Sequence, residues 1–283
     1  MKLVECPRDA MQGLHDFIPT DIKAEYINKL LKVGFDTIDF GSFVSPKAIP
    51  QLKDTVQVLE KLDLDSTNSK LLAIVANIRG VESAVLHPQI SYLGFPFSVS
   101  ETFQQRNTNS TIQQSLVTID ELIRLCGKHQ KTAVVYLSMG FGNPYVDVWN
   151  DEIVEQLAGE LVNRGVKIIS LSDTIGVSTP EKINYLLPSL MKKFQGVEFG
   201  VHLHSNPASW KEKIEAAYLS GCKRFDGALK GYGGCPMATD DLTGNIATEN
   251  IISYLYEQGE NLNLNMDAWN EAVEYSATVF SGE

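Results

Sequence analysis

The chain has 283 residues, of which 43% are hydrophobic and 21% are charged, and this composition predicts a folded protein with one substantial core. Its formal net charge of −11 and pI near 5.0 disfavour nucleic acid and anionic membranes as partners of the whole surface, because like charges repel. No apolar run approaches the roughly 18 residues of a membrane span, and the first residues are charged. Neither membrane insertion nor export is therefore predicted.

The cysteines show no Cys-x-x-Cys pair, and a chain of this length does not depend on disulfides for stability. We interpret them as reduced thiols of a cytoplasmic protein; they are Cys6, Cys126, Cys222 and Cys235.

Short β-branched runs alternate with longer helical patterns along the whole chain. The runs predict eight strands, at 2–6, 35–40, 70–75, 90–95, 132–138, 166–172, 197–203 and 223–228. The segments between them predict helices near 20–34, 49–62, 78–87, 110–129, 149–164, 179–193, 207–220 and 247–258.

Eight βα units within about 260 residues favour a closed TIM (β/α)₈ barrel. An open doubly wound sheet is disfavoured, because no glycine-rich dinucleotide motif follows the first strand. We expect one catalytic domain over 1–283, with 262–283 as a C-terminal helical extension. In such a barrel, active sites form at the carboxyl ends of the strands.

Two polar clusters at strand ends could carry chemistry. Arg8 and Asp9 follow the first strand, although an adjacent Arg and Asp is ordinarily a surface pair. His202 and His204 occupy alternate positions of the seventh strand, so both imidazoles face the same side and can reach one ion. Two hydrogen-bonded core histidines are the simpler alternative. With nitrogen and oxygen ligands and no thiolate nearby, Mg²⁺, Mn²⁺ or Zn²⁺ would fit.

A glycine-rich loop follows the eighth strand and includes Cys235. Glycines allow mobility and close backbone approach, which suits a loop that covers a pocket. A cysteine on such a loop is a candidate reactive thiol. Asn245 lies just before the next helix, and on local evidence it is interpreted as the N-cap of that helix.

Two further strand ends carry the acids Asp39 and Asp173. An acid in this position of a barrel can ligate a metal, orient a substrate hydroxyl or accept a proton. An ordinary loop cap is the alternative for both.

Together, these motifs resemble 3-hydroxy-3-methylglutaryl-CoA lyases, which are related to 2-isopropylmalate synthases. The resemblance runs from about residue 3 to residue 258, and each motif is weak alone but occurs in the family's order. The motifs are Pro-Arg-Asp at 7–9, Ser-Phe-Val-Ser-Pro-Lys at 42–47, Ser-Asp-Thr-Ile-Gly-Val at 172–177, His-Leu-His at 202–204, Gly-Gly-Cys-Pro at 233–236 and Gly-Asn at 244–245.

The resemblance implies a lyase that cleaves a carbon–carbon bond of an acyl-CoA substrate in a retro-Claisen reaction, with a bound divalent metal, Mg²⁺ or Mn²⁺ first and Zn²⁺ as an alternative. It implies Arg8 near the thioester carbonyl and Cys235 as a proton-transfer residue, with a homodimer as the assembly and leucine catabolism as an associated pathway. Lys47 and Arg106 are candidates for contact with the CoA phosphates. The implied metal ligands are Asp9, His202, His204 and Asn245.

The chain also departs from the family pattern. Ser205-Asn206-Pro207-Ala208 stands where the family continues with Asp-Thr, and Pro207 is expected to reshape the start of the next helix. Gly13-Leu14 stands where Asn-Glu is expected, and Asp39 where Glu is usual. These changes leave the proposed metal ligands in place and bear on the identity of the 3-hydroxyacyl-CoA substrate.

Three other interpretations remain open. A Claisen-type synthase would condense an acyl-CoA with a 2-oxo acid on a similar barrel, but those enzymes carry Gly-Glu-Arg in the glycine loop, where this chain has Gly-Gly-Cys-Pro. A paralogue without turnover would bind a metal or CoA ester only. A purely structural barrel would have to place all the polar candidates at its catalytic end by chance.

Overall fold

A computed structural model describes residues 1–234 and 243–281. Its main feature is a barrel of eight parallel strands, with a short ninth strand beside it. The strands are Lys2–Glu5 (β1), Thr37–Ser42 (β2), Lys70–Ile74 (β3), Ile90–Ser98 (β4), Thr132–Ser138 (β5), Ile168–Asp173 (β6), Glu198–Ser205 (β7), Arg224–Gly227 (β8) and Gly244–Asn245 (β9).

Pairing between neighbours closes the barrel. The strand order is β6-β5-β4-β3-β2-β1-β8-β7, and β6 also pairs with β7, so the eight strands form a continuous cylinder. The strand β9 pairs antiparallel with the end of β7. The predicted TIM barrel is therefore confirmed, and all eight carboxyl ends face the same rim.

Helices connect the strands around the outside. They are Pro7–Gln12 (α1), Thr20–Val33 (α2), Thr55–Leu59 (α3), Ile78–Ala84 (α4), Glu101–Thr108 (α5), Ile112–Lys128 (α6), Asp151–Asn163 (α7), Pro180–Lys193 (α8), Trp210–Leu219 (α9), Thr248–Glu257 (α10) and Met266–Val279 (α11). In the described residues, no helix has both the length and the apolar character needed to cross a membrane.

Apolar side chains form two separate layers. The larger layer fills the space between the strands and the outer helices. A smaller cluster includes Leu72, Tyr92, Val134 and Tyr136, which come from neighbouring strands at alternating positions and fill the barrel interior. This filled interior makes the carboxyl-end rim the place where side chains can meet a substrate.

Several predicted elements differ from the observed ones. The predicted helix 49–62 is a 3₁₀ turn at Pro50–Leu52 followed by α3. The break lies at Asp54, whose carboxylate accepts a hydrogen bond from the buried Lys23 ammonium at 2.7 Å. The helices α1 and α5 and the strand β9 were not predicted.

Residues 262–283 were predicted to be helical, and the structure places α11 there, packed against α2. Trp269 meets Phe35 edge to face at 5.9 Å, and Phe280 meets Tyr26 in the same way. The Phe280 ring also stacks on Tyr232 at 4.1 Å, so this segment reaches the residues just before the Gly233–Gly234 pair.

Candidate active site

Arg8 and Asp9 lie on the short helix α1, not in a loop. Pro7 occupies the first turn of this helix, where its missing N–H costs no hydrogen bond. Both residues are more than nine-tenths buried, so the interpretation as an exposed surface pair is wrong. The helix starts directly after β1 and places both residues on the carboxyl-end rim.

The side chains of Asp9, His202 and His204 meet at this rim. One ligand atom from each lies within 4.8 Å of the others. The two imidazoles come from alternate positions of β7, and their ring centroids are 5.3 Å apart. The cluster therefore brings a carboxylate and two imidazoles close enough to share one ion, as the spacing of the histidines predicts.

The other ring nitrogen of each histidine is already engaged. His204 Nδ1 lies 3.1 Å from the carbonyl oxygen of Thr174, to which it can only donate, and His202 Nδ1 lies 3.4 Å from Asp226 Oδ2. Within residues 1–234 and 243–281, the buried His204 Nε2 has no hydrogen-bond partner. Metal-ligating histidines usually donate their second N–H to a carbonyl or carboxylate in this way. The residues present therefore fit a divalent cation.

Asn245 lies beside the same cluster. It sits on β9 directly opposite His204, and its Nδ2 donates to Asp9 Oδ2 at 2.7 Å and to the carbonyl oxygen of Tyr232 at 3.0 Å. The N-cap of α10 is Ala247, so the interpretation of Asn245 as a helix cap is wrong. Coordination of a metal would use the amide oxygen of Asn245.

Gly233 brings the start of the glycine loop against Asp9. Its φ is +79°, and a Cβ at this position would lie 2.6 Å from the Asp9 carbonyl oxygen and 2.7 Å from Ala10 Cα. Both the backbone angle and the close approach require glycine. Cys235 itself lies outside the described residues.

The Arg8 guanidinium is held by three side chains. Nε and Nη2 donate to Asp39 Oδ2 at 3.0 and 2.5 Å, and Nη1 donates to Asp9 Oδ1 and Gln12 Oε1 at 2.8 and 2.9 Å. An arginine has five N–H donors, so one N–H on Nη2 is not used by these bonds. This leaves a fixed cation with one donor for a substrate oxygen.

Burial and neighbouring charges act in opposite directions at this site. Burial works to raise the pKa of Asp9, but Arg8 and the two histidines outweigh it and lower the pKa to about 2. Burial and the adjacent His202 lower the pKa of His204 to about 4, which keeps its imidazole neutral at pH 7. Burial would also lower the pKa of His202, but the Asp226 carboxylate raises it.

Asp39 is fully buried at the end of β2. Burial raises its pKa to about 6, although Arg8 works to lower it. Its Oδ2 binds Arg8, whereas the buried Oδ1 has no hydrogen-bond partner in the part of the chain that the structure describes. The second oxygen is thus available as an acceptor next to the guanidinium.

A thiol also lies close to the histidines. Cys6, His202 and Asp226 form a second group whose ligand atoms lie within 4.8 Å of one another. Burial first, and then the charge of Asp226, raises the pKa of the Cys6 thiol well above its usual value. The sulfur beside the histidines, which the sequence did not reveal, is therefore a neutral thiol and not a thiolate.

Asp173 is engaged by the protein itself. Its oxygens accept hydrogen bonds from the Val177 and Ser178 backbone N–H groups, the Ser178 hydroxyl and the Lys213 ammonium. The structure therefore places Asp173 as a cap of the loop after β6, which is the alternative that the sequence left open. The next residue, Thr174, accepts the hydrogen bond from His204 Nδ1 and so links Asp173 to the cluster of Asp9, His202 and His204.

Glu5 is a buried acid near the site that the sequence analysis missed. It is fully buried, and it accepts hydrogen bonds from the Leu229 backbone N–H at 2.8 Å and the Thr248 hydroxyl at 2.5 Å. Burial raises its pKa to about 8. The position of Glu5 at the end of β1 could have indicated a functional acid. It was overlooked because the charged pair Arg8 and Asp9 follows closely.

The two candidates for phosphate contact are exposed. Lys47 lies on the loop after β2, and Arg106 on α5 lies over the Tyr145 ring at 4.8 Å. Their role toward CoA stays a prediction.

The residues after His204 that differ from the family sequence, Ser205 to Ala208, form a turn together with Ser209. Asn206 Oδ1 accepts hydrogen bonds from the backbone N–H groups of Ala208 and Ser209, and α9 begins only at Trp210. The Ser205 hydroxyl bonds within this turn, to the Asn206 carbonyl and Ser209 Oγ. The helix expected from residue 207 thus begins three residues later, and His202 and His204 lie on β7 ahead of this turn.

The fold and the site together define a parallel barrel that carries a carboxylate and two imidazoles on its carboxyl-end rim, beside a buried arginine. Comparison with known proteins makes the class specific. The HMGL-like family model matches residues 3–275, and the chain belongs to this family. Its curated relatives are carbon–carbon lyases, and this chain is an enzyme of that class.

Relatives and solved structures agree with this assignment. The cytoplasmic 3-hydroxy-3-methylglutaryl-CoA lyase of Homo sapiens is 32% identical over 97% of this chain and 74% of the relative. The HMG-CoA lyase structure from Bacillus subtilis superposes with a TM-score of 0.92 at 30% identity, covering 99% of this chain and 93% of the other. The Acinetobacter baumannii HMG-CoA lyase, solved with coenzyme A and 3-methylmalate, has a TM-score of 0.90 at 29% identity, covering 99% and 91%.

Proposed function

We propose that this enzyme cleaves 3-hydroxy-3-methylglutaryl-CoA, or a close 3-hydroxyacyl-CoA, to acetyl-CoA and acetoacetate in a metal-dependent retro-Claisen reaction. One observation carries the proposal: the Asp9, His202 and His204 cluster lies directly beside the Arg8 guanidinium. The reaction needs positive charge at two places, at the C3 hydroxyl and at the thioester oxygen. The cluster and the arginine supply one each.

Asp9, His202, His204 and Asn245 would hold the cation. Their oxygen and nitrogen donors suit Mg²⁺ or Mn²⁺, with Zn²⁺ as the alternative. When bound, the cation supplies a positive charge that lowers the pKa of a coordinated substrate hydroxyl. The low pKa of Asp9 and the neutral imidazole of His204 mean that neither ligand must lose a proton near pH 7.

Arg8 would act at the other end of the substrate. Asp39 orients the guanidinium through Oδ2, and its Oδ1 would accept the proton of the C3 hydroxyl. The C3 oxygen would then form the ketone of acetoacetate as the C2–C3 bond breaks, and the electron pair of that bond would move into the thioester to give an enolate. The remaining N–H of Arg8 would donate to the thioester oxygen, where this charge develops.

Cys235 would protonate the enolate carbon to give acetyl-CoA. The support comes from the two ends of the glycine loop that carries it, since Gly233 lies against Asp9 and Asn245 bonds to the Asp9 carboxylate. Asp173 would act as a positioning residue for the loop that contains Thr174.

Three broader assignments belong to this proposal. The expected assembly is a homodimer, and the expected location is the cytoplasm, supported by buried free thiols at Cys6, Cys126 and Cys222. Leucine catabolism is the pathway class that uses this cleavage. Analytical ultracentrifugation and cell fractionation test the first two.

The decisive experiment measures acetoacetate and acetyl-CoA release from 3-hydroxy-3-methylglutaryl-CoA. Chelator-treated enzyme should be inactive, and Mg²⁺ or Mn²⁺ should restore both products together. His204→Ala should not be restored, whereas His129→Ala, a change of the same type at the distant end of α6, should behave as wild type.

A folded, metal-loaded protein that releases neither product would contradict the proposed substrate. Other 3-hydroxyacyl-CoA esters would then be tested. CoA release from acetyl-CoA and a 2-oxo acid would indicate a synthase instead, and tight CoA-ester binding without turnover would indicate a paralogue that only binds.

A further inference from the structure

Lys213 is a buried lysine that bonds to the backbone of His204, a member of the cluster of Asp9, His202 and His204. It lies in α9, and only 2% of the residue is exposed. Its ammonium donates to Asp173 Oδ2 at 2.9 Å, to the Gly176 carbonyl at 3.0 Å and to the His204 carbonyl at 2.8 Å. A lysine has three N–H donors, and these three bonds use all of them.

The three acceptors come from two neighbouring strand ends. Asp173 ends β6, Gly176 lies in the loop that follows β6, and His204 lies near the end of β7. The β6 and β7 backbones separate at this point, because their ladder stops at the pair Asp173 and Leu203. Lys213 therefore links the segments that follow β6 and end β7, at the point where the regular pairing of the two strands stops.

The Lys213 bond to Asp173 also affects the hydrogen bond made by the His204 imidazole. The acceptor of its Nδ1 is the Thr174 carbonyl, which follows Asp173 directly. The loop is wrapped around the Asp173 carboxylate by the Val177 and Ser178 backbone N–H groups. One ammonium thus holds the His204 backbone and, through Asp173, the loop that orients its ring.

The buried ion pair of Lys213 and Asp173 is better explained by a role in positioning His204 than by a contribution to stability. A buried pair loses so much hydration that apolar residues of similar size often stabilise a protein equally well. Partners that hold a ligating histidine in place, by contrast, change metal affinity when they are removed. The Ser205 to Ser209 turn, which departs from the family pattern, is the segment that leads into the helix carrying Lys213.

We propose that Lys213 is a positioning residue that sets the orientation of the metal ligand His204. The inference rests on the proposed role of His204 and adds to it a residue outside the motifs that define the site. Lys213 does not touch the substrate. It acts by fixing the separation between the His204 carbonyl and the Thr174 loop.

The chain contains a matched control. Lys23 is equally buried, pairs with Asp54 at 2.7 Å and donates to the Gln51 carbonyl, and it contacts none of the cluster residues. Lys23→Met therefore removes a comparable buried ion pair away from the site. Any general loss of stability should appear in both variants.

The experiment measures Mn²⁺ binding to chelator-treated protein by electron paramagnetic resonance, together with thermal unfolding, in the absence of substrate. Lys213→Met should weaken Mn²⁺ binding roughly 10- to 100-fold. Lys23→Met should keep the wild-type affinity despite a similar fall in melting temperature. The double variant Lys213→Met/Asp173→Asn removes both charges, so it should recover stability but not Mn²⁺ affinity.

Equal Mn²⁺ affinity in Lys213→Met and Lys23→Met would overturn the inference while leaving the proposed function intact. Recovery of Mn²⁺ affinity in the double variant would also overturn it, since the charge of Asp173 would then be the whole cause. Failure of the folded wild-type protein to bind Mn²⁺, Mg²⁺ or Zn²⁺ would instead remove the metal assignment and this inference together.

Discussion

Replacing Arg8 by glutamine tests both the chemistry and the electrostatics of the site. The guanidinium binds the Asp9 and Asp39 carboxylates at 2.8 and 2.5 Å, and Asp39 has no exposed surface. Glutamine carries no charge, so Arg8→Gln leaves Asp39 buried without its cationic partner. Breaking a buried pair in this way costs about 3–5 kcal/mol of stability.

The same change should lower the rate of cleavage. Loss of one preorganised donor to a developing oxyanion typically costs on the order of 10²–10³ in kcat, or about 3–4 kcal/mol. The two losses can be separated with Arg8→Gln/Asp39→Asn, which removes both charges. This double variant should recover most of the stability and none of the rate.

The assays are acetyl-CoA release at saturating Mg²⁺ and unfolding in urea for the wild type, both single variants and the double variant. The four proteins form a double-mutant cycle, so the coupling between Arg8 and Asp39 is measured directly. Turnover in the double variant within about threefold of wild type would refute the reasoning, because a donor to the thioester oxygen cannot be dispensable.

Two further predictions concern other residues. The pKa of Glu5 is about 8 in the folded protein against an ordinary 4.5, so the folded state holds this proton more tightly and stability should fall as pH rises from 4.5 to 8. Glu5→Gln can accept from the Leu229 N–H through Oε1 and donate through Nε2 to the Thr248 hydroxyl oxygen. It should therefore remove that fall, worth about 3–5 kcal/mol, in urea unfolding at pH 5 and pH 8.5; an unchanged pH slope would contradict this. Cys235→Ala should slow solvent-deuterium incorporation into acetyl-CoA, and incorporation at the wild-type rate would remove its role as the proton donor.

The fold could be predicted because its signal is local and repeated. Each barrel strand is a short apolar run, and eight such runs alternate with helical patterns. The histidine pair could be predicted for the same reason, since alternate strand positions always share a face. The rule that barrel sites lie at the carboxyl ends places Asp9 on the same rim, but its grouping with His202 and His204 was implied only by the family resemblance.

Contacts between distant segments were the part that the sequence could not supply. Asn245 resembles a helix cap locally, and only its pairing with His204 on β7 turns its side chain toward Asp9. The strand β9 has two residues, too few for any periodic pattern. The carboxylate of Asp173 accepts a hydrogen bond from Lys213, which lies 40 positions further along the chain.

The helices α1 and α5 were not predicted from the sequence, and each has a physical explanation. The helix α1 has six residues, less than two turns, so no apolar stripe can develop. The helix α5 is mostly polar and is held at its start by the Ser100 hydroxyl, which accepts from the Phe103 backbone N–H. In both cases tertiary contacts, rather than hydrophobic periodicity, stabilise the helix.

The two anchors of the glycine loop have a consequence for how this enzyme can diversify. Gly233 is fixed against the Asp9 backbone, and Asn245 is fixed across from His204. Neither anchor can therefore be exchanged without disturbing a proposed metal ligand: a Cβ at position 233 would meet the Asp9 backbone, and Asn245 is itself a proposed ligand. Variation in acyl-CoA preference is thus expected at positions other than these two.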